Sequence, residues 1–225
     1  MKQFYSFILI FTFFAGFSQE KQIGEVLYEV NMMMPEDTNQ GTSSAETRNK
    51  VRMLMKTSRP ERFKLIFNEN ESRYEIIKRM NSDIDPTINL SRILGGETKV
   101  FYQNVKADIQ YYNENFSGED WSVFYENYNY KLTKEKKTVL GFLCYKATFG
   151  KGRYAWYTPE IPVNFGPGKY NGLPGLVLEA MHKGLLITAK KINLDSNNIQ
   201  LEVPIVGKKI SEEDYIDLKS KNADF

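Results

Sequence analysis

Trp156-Tyr157-Thr158-Pro159-Glu160-Ile161-Pro162, followed by Gly166-Pro167 and then by Gly172-Leu173-Pro174-Gly175-Leu176-Val177-Leu178-Glu179, is the stretch from which the rest of the chain is read. Aromatic strand positions give way to Pro and Gly, and these to an apolar strand. Proline fixes φ and removes an N–H donor, and glycine admits φ > 0, so this spacing prescribes a backbone path rather than a reacting group.

Working outward, the dominant period is two, which puts one face of each segment in a core. Val26, Tyr28, Val30 and Met32 alternate with Leu27, Glu29 and Asn31; Val51, Met53 and Met55 with Arg52 and Lys56; Phe63, Leu65 and Phe67 with Lys64 and Asn68. Residues 74–80, 99–103, 108–113, 128–134, 138–149, 153–158, 176–181 and 185–194 are short, β-branched or aromatic-rich and bounded by turn residues, so each is expected to be a strand. His182-Lys183-Gly184 reads as a tight hairpin turn. Residues 35–50 and 81–97 are expected to be long loops, and Ser211-Glu212-Glu213-Asp214 the capped start of a short helix reaching Lys221. The expected fold is mainly β: an antiparallel, strongly curved sheet or half-barrel with long loops and a short C-terminal helix.

Lys2, the apolar residues 4–17 and the small residues at Gly16-Phe17-Ser18 have the layout of a signal peptide. Residues 1–18 are therefore expected to be removed near Ser18/Gln19, leaving residues 19–225 as a single domain in the periplasm or outside the cell. No Cys lies near the cut to accept a lipid, and the apolar run is shorter than a bilayer-spanning helix requires. With 30 Lys+Arg against 28 Asp+Glu, the balance offers no basic surface for nucleic acid. Cys144 is the single cysteine, which excludes an internal disulfide, so apolar burial must hold the fold together.

Two resemblances follow. The quoted stretch resembles the signature of the GLPGLI family, secreted proteins known mainly from the Bacteroidetes and without an established activity. The match runs from Thr138 through Glu179, with Gly141, Cys144, Lys146, Ala147, Trp156, Tyr157, Pro159, Ile161, Pro162, Gly166, Pro167, Gly172, Leu173, Pro174, Gly175, Leu176 and Glu179 in the expected places. Val177 stands where the family's name has isoleucine, an exchange that keeps a β-branched residue. The resemblance implies export to the envelope, with outer-membrane transport or assembly proteins as partners. More weakly, Pro60-Glu61-Arg62-Phe63 with its flanks, and Gly141 to Ala147 followed by Tyr154 to Tyr157, resemble strands of the outer-membrane lipoprotein carriers. That likeness implies a half-barrel with an apolar groove, and Phe63, Phe67, Tyr102, Tyr111 and Trp156 are the groove candidates.

Groups suited to bond-making are sparse. His182 is the single histidine, so any Ser-His-Asp or Cys-His arrangement would have to use it. Cys144 lies between Leu143 and Tyr145 in a strand interior, where a free thiol behaves as a small apolar residue. No Gly-x-Ser-x-Gly elbow or phosphate-cradling loop is present, and no spacing suits zinc. Glu119 or Asp120 with Glu160 or Glu179 is a candidate carboxylate pair for a hydrolase, against the plainer reading of surface acids. Glu179 is expected to pair with Arg153 or Lys146. Met32-Met33-Met34 with Met53 and Met55, or more weakly Met181 with His182, are candidate Cu(I) ligands, against the plainer reading of pliable core filler. The aromatic run from Tyr111 to Tyr130 is read as core and rim, or as a stacking surface for a sugar or apolar ligand. The sequence therefore favours a binding or assembly component without catalytic residues, metal or cofactor, taking a lipid, a hydrophobic peptide or a partner protein.

Overall fold

In the computed structural model, residues 24–34, 44–78, 87–194, 201–204 and 207–222 are described. The expected signal peptide lies outside them. Twelve strands and three helices follow in the order β1 (Gly24–Met32), α1 (Ala45–Thr57), β2 (Glu61–Phe67), β3 (Glu71–Ile76), α2 (Leu90–Gly95), β4 (Val100–Asn104), β5 (Ile109–Phe116), β6 (Glu119–Phe124), β7 (Lys131–Val139), β8 (Phe142–Thr148), β9 (Tyr154–Thr158), β10 (Leu176–His182), β11 (Leu185–Asn193), β12 (Lys208–Ser211) and α3 (Glu212–Asn222). All strands join one sheet in the order β12-β6-β5-β4-β3-β2-β1-β11-β10-β9-β8-β7. Every pairing is antiparallel except β12 with β6. The sheet does not close, so β12 and β7 are its edges. The expected fold class, a mainly β antiparallel curved sheet with a short C-terminal helix, is the one observed. On β7 the lysines Lys131, Lys134, Lys136 and Lys137 discourage pairing with another chain at that edge.

One face of the sheet is covered. Tyr28 pairs with Phe63 and Ala189, Leu65 with Tyr74, Tyr74 with Phe101, and Phe101 with Tyr112, so these side chains share a face across six neighbouring strands. The loop 159–175 lies over it, burying Ile161, Val163, Phe165, Tyr170 and Leu173. Backbone bonds from Leu176 N to Ile161 O and from Val177 N to Phe165 O fold the loop back on β10. At Gly166 an added Cβ would lie 1.9 Å from the Tyr170 carbonyl oxygen, and at Gly175, with φ 150°, 2.2 Å from that of Thr158. Only glycine lets these backbones approach so closely.

Three departures from the sequence reading have physical causes. The strand expected through Val51, Met53 and Met55 is helix α1, and the loop expected over 35–50 ends at its cap. Ser44 Oγ accepts from Thr47 N at 3.2 Å, while Glu46 occupies the first turn and Lys56 the last. No residue of α1 is fully buried, and its apolar residues Val51, Met53, Leu54 and Met55 fit both a short helical stripe and the alternation of a strand. Within the connection expected over 81–97, α2 is capped by Asn89 and ends at Gly96 in the left-handed conformation. Residues 138–149 form two strands, because Leu140 and Gly141 both take positive φ and turn β7 into β8. Ser117-Gly118 and Lys183-Gly184 do the same between β5 and β6 and between β10 and β11. The β5 to β6 turn divides the aromatic run, and neither β6 nor β12 has a counterpart in the expected strands. The expected start of α3 holds, with Ser211 Oγ accepting from Asp214 N at 3.1 Å.

Candidate functional site

A cavity of about 340 Å³ lies on the covered face. Its aromatic wall follows from strand register: Tyr74 on β3, Phe101 on β4 and Tyr112 on β5 stand side by side, with centroids 5.9 Å and 5.3 Å apart. Leu185 and Ile187 of β11 continue that lining. Helix α2 forms another wall with Ile93 and Leu94, and it can do so because Gly95 lies against the Phe63 ring, where a Cβ would come within 2.6 Å. Tyr128 and the loop residues Gly168, Lys169 and Tyr170 complete the lining with His182, Lys183, Lys99 and Glu212.

The polar groups here are few. Lys169 Nζ donates to both carboxylate oxygens of Glu212, at 2.6 and 2.8 Å. Lys99 Nζ stands over the Tyr112 ring, 4.2 Å from its centroid, and 3.7 Å from Glu114 Oε2. Burial lowers its pKa. His182 packs edge-on to Tyr128 and Phe149. Burial, then the charges of Arg153, Lys183 and Lys169, pull its pKa down to about 4, so its imidazole is neutral at neutral pH. Tyr74 is 1% exposed, and its hydroxyl has no hydrogen-bond partner among the described residues.

The groove candidates occupy both faces of the sheet. Phe63 and Phe67 lie on the covered face and are fully buried, with Phe63 stacked on Tyr74 behind the cavity. Tyr102 and Tyr111 pair with each other on the opposite face, where Tyr111 Oη donates to Pro204 O at 3.2 Å. Trp156 shares that outer face with Glu179, its partner across β9 and β10. Glu179 is bound by Lys137 at 2.6 Å, which replaces the expected Arg153 or Lys146. Lys137 also stands over the Trp156 ring at 4.7 Å, and Lys146 is bonded to Glu135.

Other candidates are dispersed. Glu119 pairs with Lys208, Asp120 accepts from Asn115, and Glu160 accepts from the backbone N–H of Leu143. Glu119 and Asp120 belong to β6, whereas Glu179 belongs to β10, and β6 and β10 are not neighbours in the sheet. Met53 is on α1 and 70% exposed. Among the described residues no group of three or more His, Cys, Asp or Glu side chains is placed to hold a metal ion. Cys144 is buried, and desolvation pushes its thiol pKa up to about 11. No helix among the described residues is long and apolar enough to cross a membrane.

Tyr74, Ile93, Leu94, Lys99, Lys169 and Glu212 were not marked by the sequence as a site. Gly95-Gly96 is a local signal near them, since paired glycines permit a helix end to approach a sheet closely.

A family described as "Protein of unknown function (Porph_ging)" matches residues 150–179. The matched segment runs from the turn before β9 to Glu179 and contains the whole loop that covers the sheet. A solved structure of PNGF-II in a P21 space group is similar in fold, with a TM-score of 0.54 at 17% identity. The similarity covers 88% of this chain and 33% of that one, so the chain spans a third of that protein's length. At this identity the likeness concerns the fold alone. No curated protein matches the chain.

Proposed function

We propose that this chain is an exported envelope protein of the GLPGLI type that acts by binding, without catalysis, and that the cavity beside α2 is its ligand site. The observation that carries this reading is the cavity's make-up: a volume of about 340 Å³ with a mainly aromatic and aliphatic lining, which includes Ile93 and Leu94, 52% and 54% exposed. Pockets for small apolar ligands have this size and composition, with a few polar groups to fix orientation. Exposed aliphatic side chains beside such an opening are also what an apolar ligand contacts on entering. Export is supported by the layout of residues 1–18. The groups at the site suit binding better than proton transfer, because Glu212 is held by Lys169 and His182 is kept neutral well below neutral pH.

Native mass spectrometry of the protein purified from the periplasm of its own host tests the reading. A retained apolar molecule is expected, and Ile187→Trp, which fills the cavity from β11, should release it. Protein that carries nothing and hydrolyses a glycan or an ester would overturn it.

A further inference from the structure

We propose that the ligand of this cavity is an amphiphile with an anionic head, a carboxylate or phosphate ester on a hydrocarbon chain, held by Lys99 and Tyr74. This rests on the binding reading above and narrows it.

Charges along the cavity wall do not balance. The cavity's carboxylate, Glu212, already receives Lys169 on both oxygens. The rest of the charged lining is cationic, Lys99, Lys169 and Lys183. Lys99 Nζ stands 3.7 Å from Glu114 Oε2, beyond hydrogen-bond distance, while Lys219 holds the other oxygen of Glu114 at 3.1 Å. The lowered pKa of Lys99 agrees with this, since it marks an ammonium whose burial outweighs the anionic charge near it. Tyr74 adds a buried hydroxyl without a partner among the described residues, and burial raises its pKa, so it stays protonated and able to donate. An anionic oxygen satisfies both donors, and charge-assisted bonds of this kind are the strong ones. A neutral head would leave Lys99 with no charge partner nearer than Glu114 at 3.7 Å, and a cationic head would meet Lys99, Lys169 and Lys183. The hydrocarbon chain then has Phe101, Ile187, Ile93 and Leu94 to lie against.

Titration calorimetry of the mature chain, stripped of co-purifying lipid, with four ten-carbon probes below their micellar concentrations tests the assignment. The probes are decanoate, decyl phosphate, 1-decanol and decyltrimethylammonium. Decanoate or decyl phosphate should bind at least roughly tenfold more tightly than decanol, the stronger of the two naming the head, with the cation weakest. Lys99→Gln should abolish the preference for the anionic probes over decanol, bringing their affinities together, and Tyr74→Phe should narrow that preference in the same direction. Equal affinity for all four heads, or anionic binding unchanged in Lys99→Gln, would overturn the head assignment while leaving the apolar site standing. Failure of all four probes to bind would overturn both.

Discussion

The hydroxyl of Tyr28 donates to the carbonyl oxygen of Val177 at 2.5 Å, joining β1 to the start of β10 across 149 residues of sequence. Both residues are fully buried, and the bond falls where the pairing of β10 with β9 slips between Val177 and Glu179. A carbonyl beside such an irregularity needs a partner from elsewhere, and Tyr28 supplies it from the middle of the core. Tyr28→Phe keeps the ring and removes the donor. It should cost about 1–3 kcal/mol, the usual range for leaving a buried polar group unpaired. In urea the midpoint should fall with little change in slope. An unchanged midpoint would show that the carbonyl has another partner.

The loop 159–175 makes a second prediction, because its glycines differ in what surrounds them. Gly166→Ala and Gly175→Ala each drive a methyl group into a backbone carbonyl, and at Gly175 the φ of 150° adds strain of its own. Each should lose at least about 1–3 kcal/mol, enough to depress soluble yield. Gly118→Asn is the contrast. Its φ is 79°, no atom lies within 4 Å of an added Cβ, and asparagine tolerates the left-handed region, so melting should change little. Gly172 is intermediate, since its nearest obstacle is the side chain of Asn127 at 2.9 Å, which can move.

Much of the sheet is legible in sequence because burial of one face imposes period two, as in Val26-Tyr28-Val30 and Phe63-Leu65-Phe67. Helix α1 is not, because Val51, Met53 and Met55 alternate as a strand would while Val51, Leu54 and Met55 follow helical spacing, and a run this short does not decide between them. The groove candidates show a finer limit. Period two states which residues of a strand share a face, but not which face is covered, and a choice one residue away reverses the answer. Phe101 and Tyr112 line the cavity, while their neighbours Tyr102 and Tyr111 point to the other face. The irregularity in β10 makes the same inference harder for Trp156. Lys99, Lys169 and Glu212 meet only through packing of distant segments, so no local pattern announces them.

Cys144 makes the third prediction. Desolvation raises its thiol pKa to about 11, so at pH 7 to 8 the thiolate that reacts is scarce. Labelling by a disulfide reagent should be slow in buffer and fast in denaturant, and Cys144→Ala should fold. Rapid labelling of folded protein at neutral pH would restore the thiol as a candidate nucleophile.

The last prediction concerns pH. His182 has a folded pKa of about 4, below its unfolded value of 6.5, because burial and the nearby Arg153, Lys183 and Lys169 oppose a further positive charge. Between these two values the unfolded chain binds a proton at this ring and the folded chain does not. Stability therefore rises with pH across that window, and as pH falls from 6.5 toward 4 the contribution is progressively lost. Below about 4 both states are protonated and the dependence from this residue ends. Carboxylates such as Glu75, where burial raises the pKa but the bonds and charges of Arg73 and Lys64 together outweigh it and lower the pKa, lose their contribution at more acid pH, so the two effects separate along the pH axis. His182→Gln should flatten the profile between pH 6.5 and 4 and leave the more acid limb in place. The measurement is the urea midpoint of both proteins at half-unit pH steps. A wild-type profile already flat through that window would show that the ring accepts a proton in the folded state, and with it that the cavity wall around His182 is open to water.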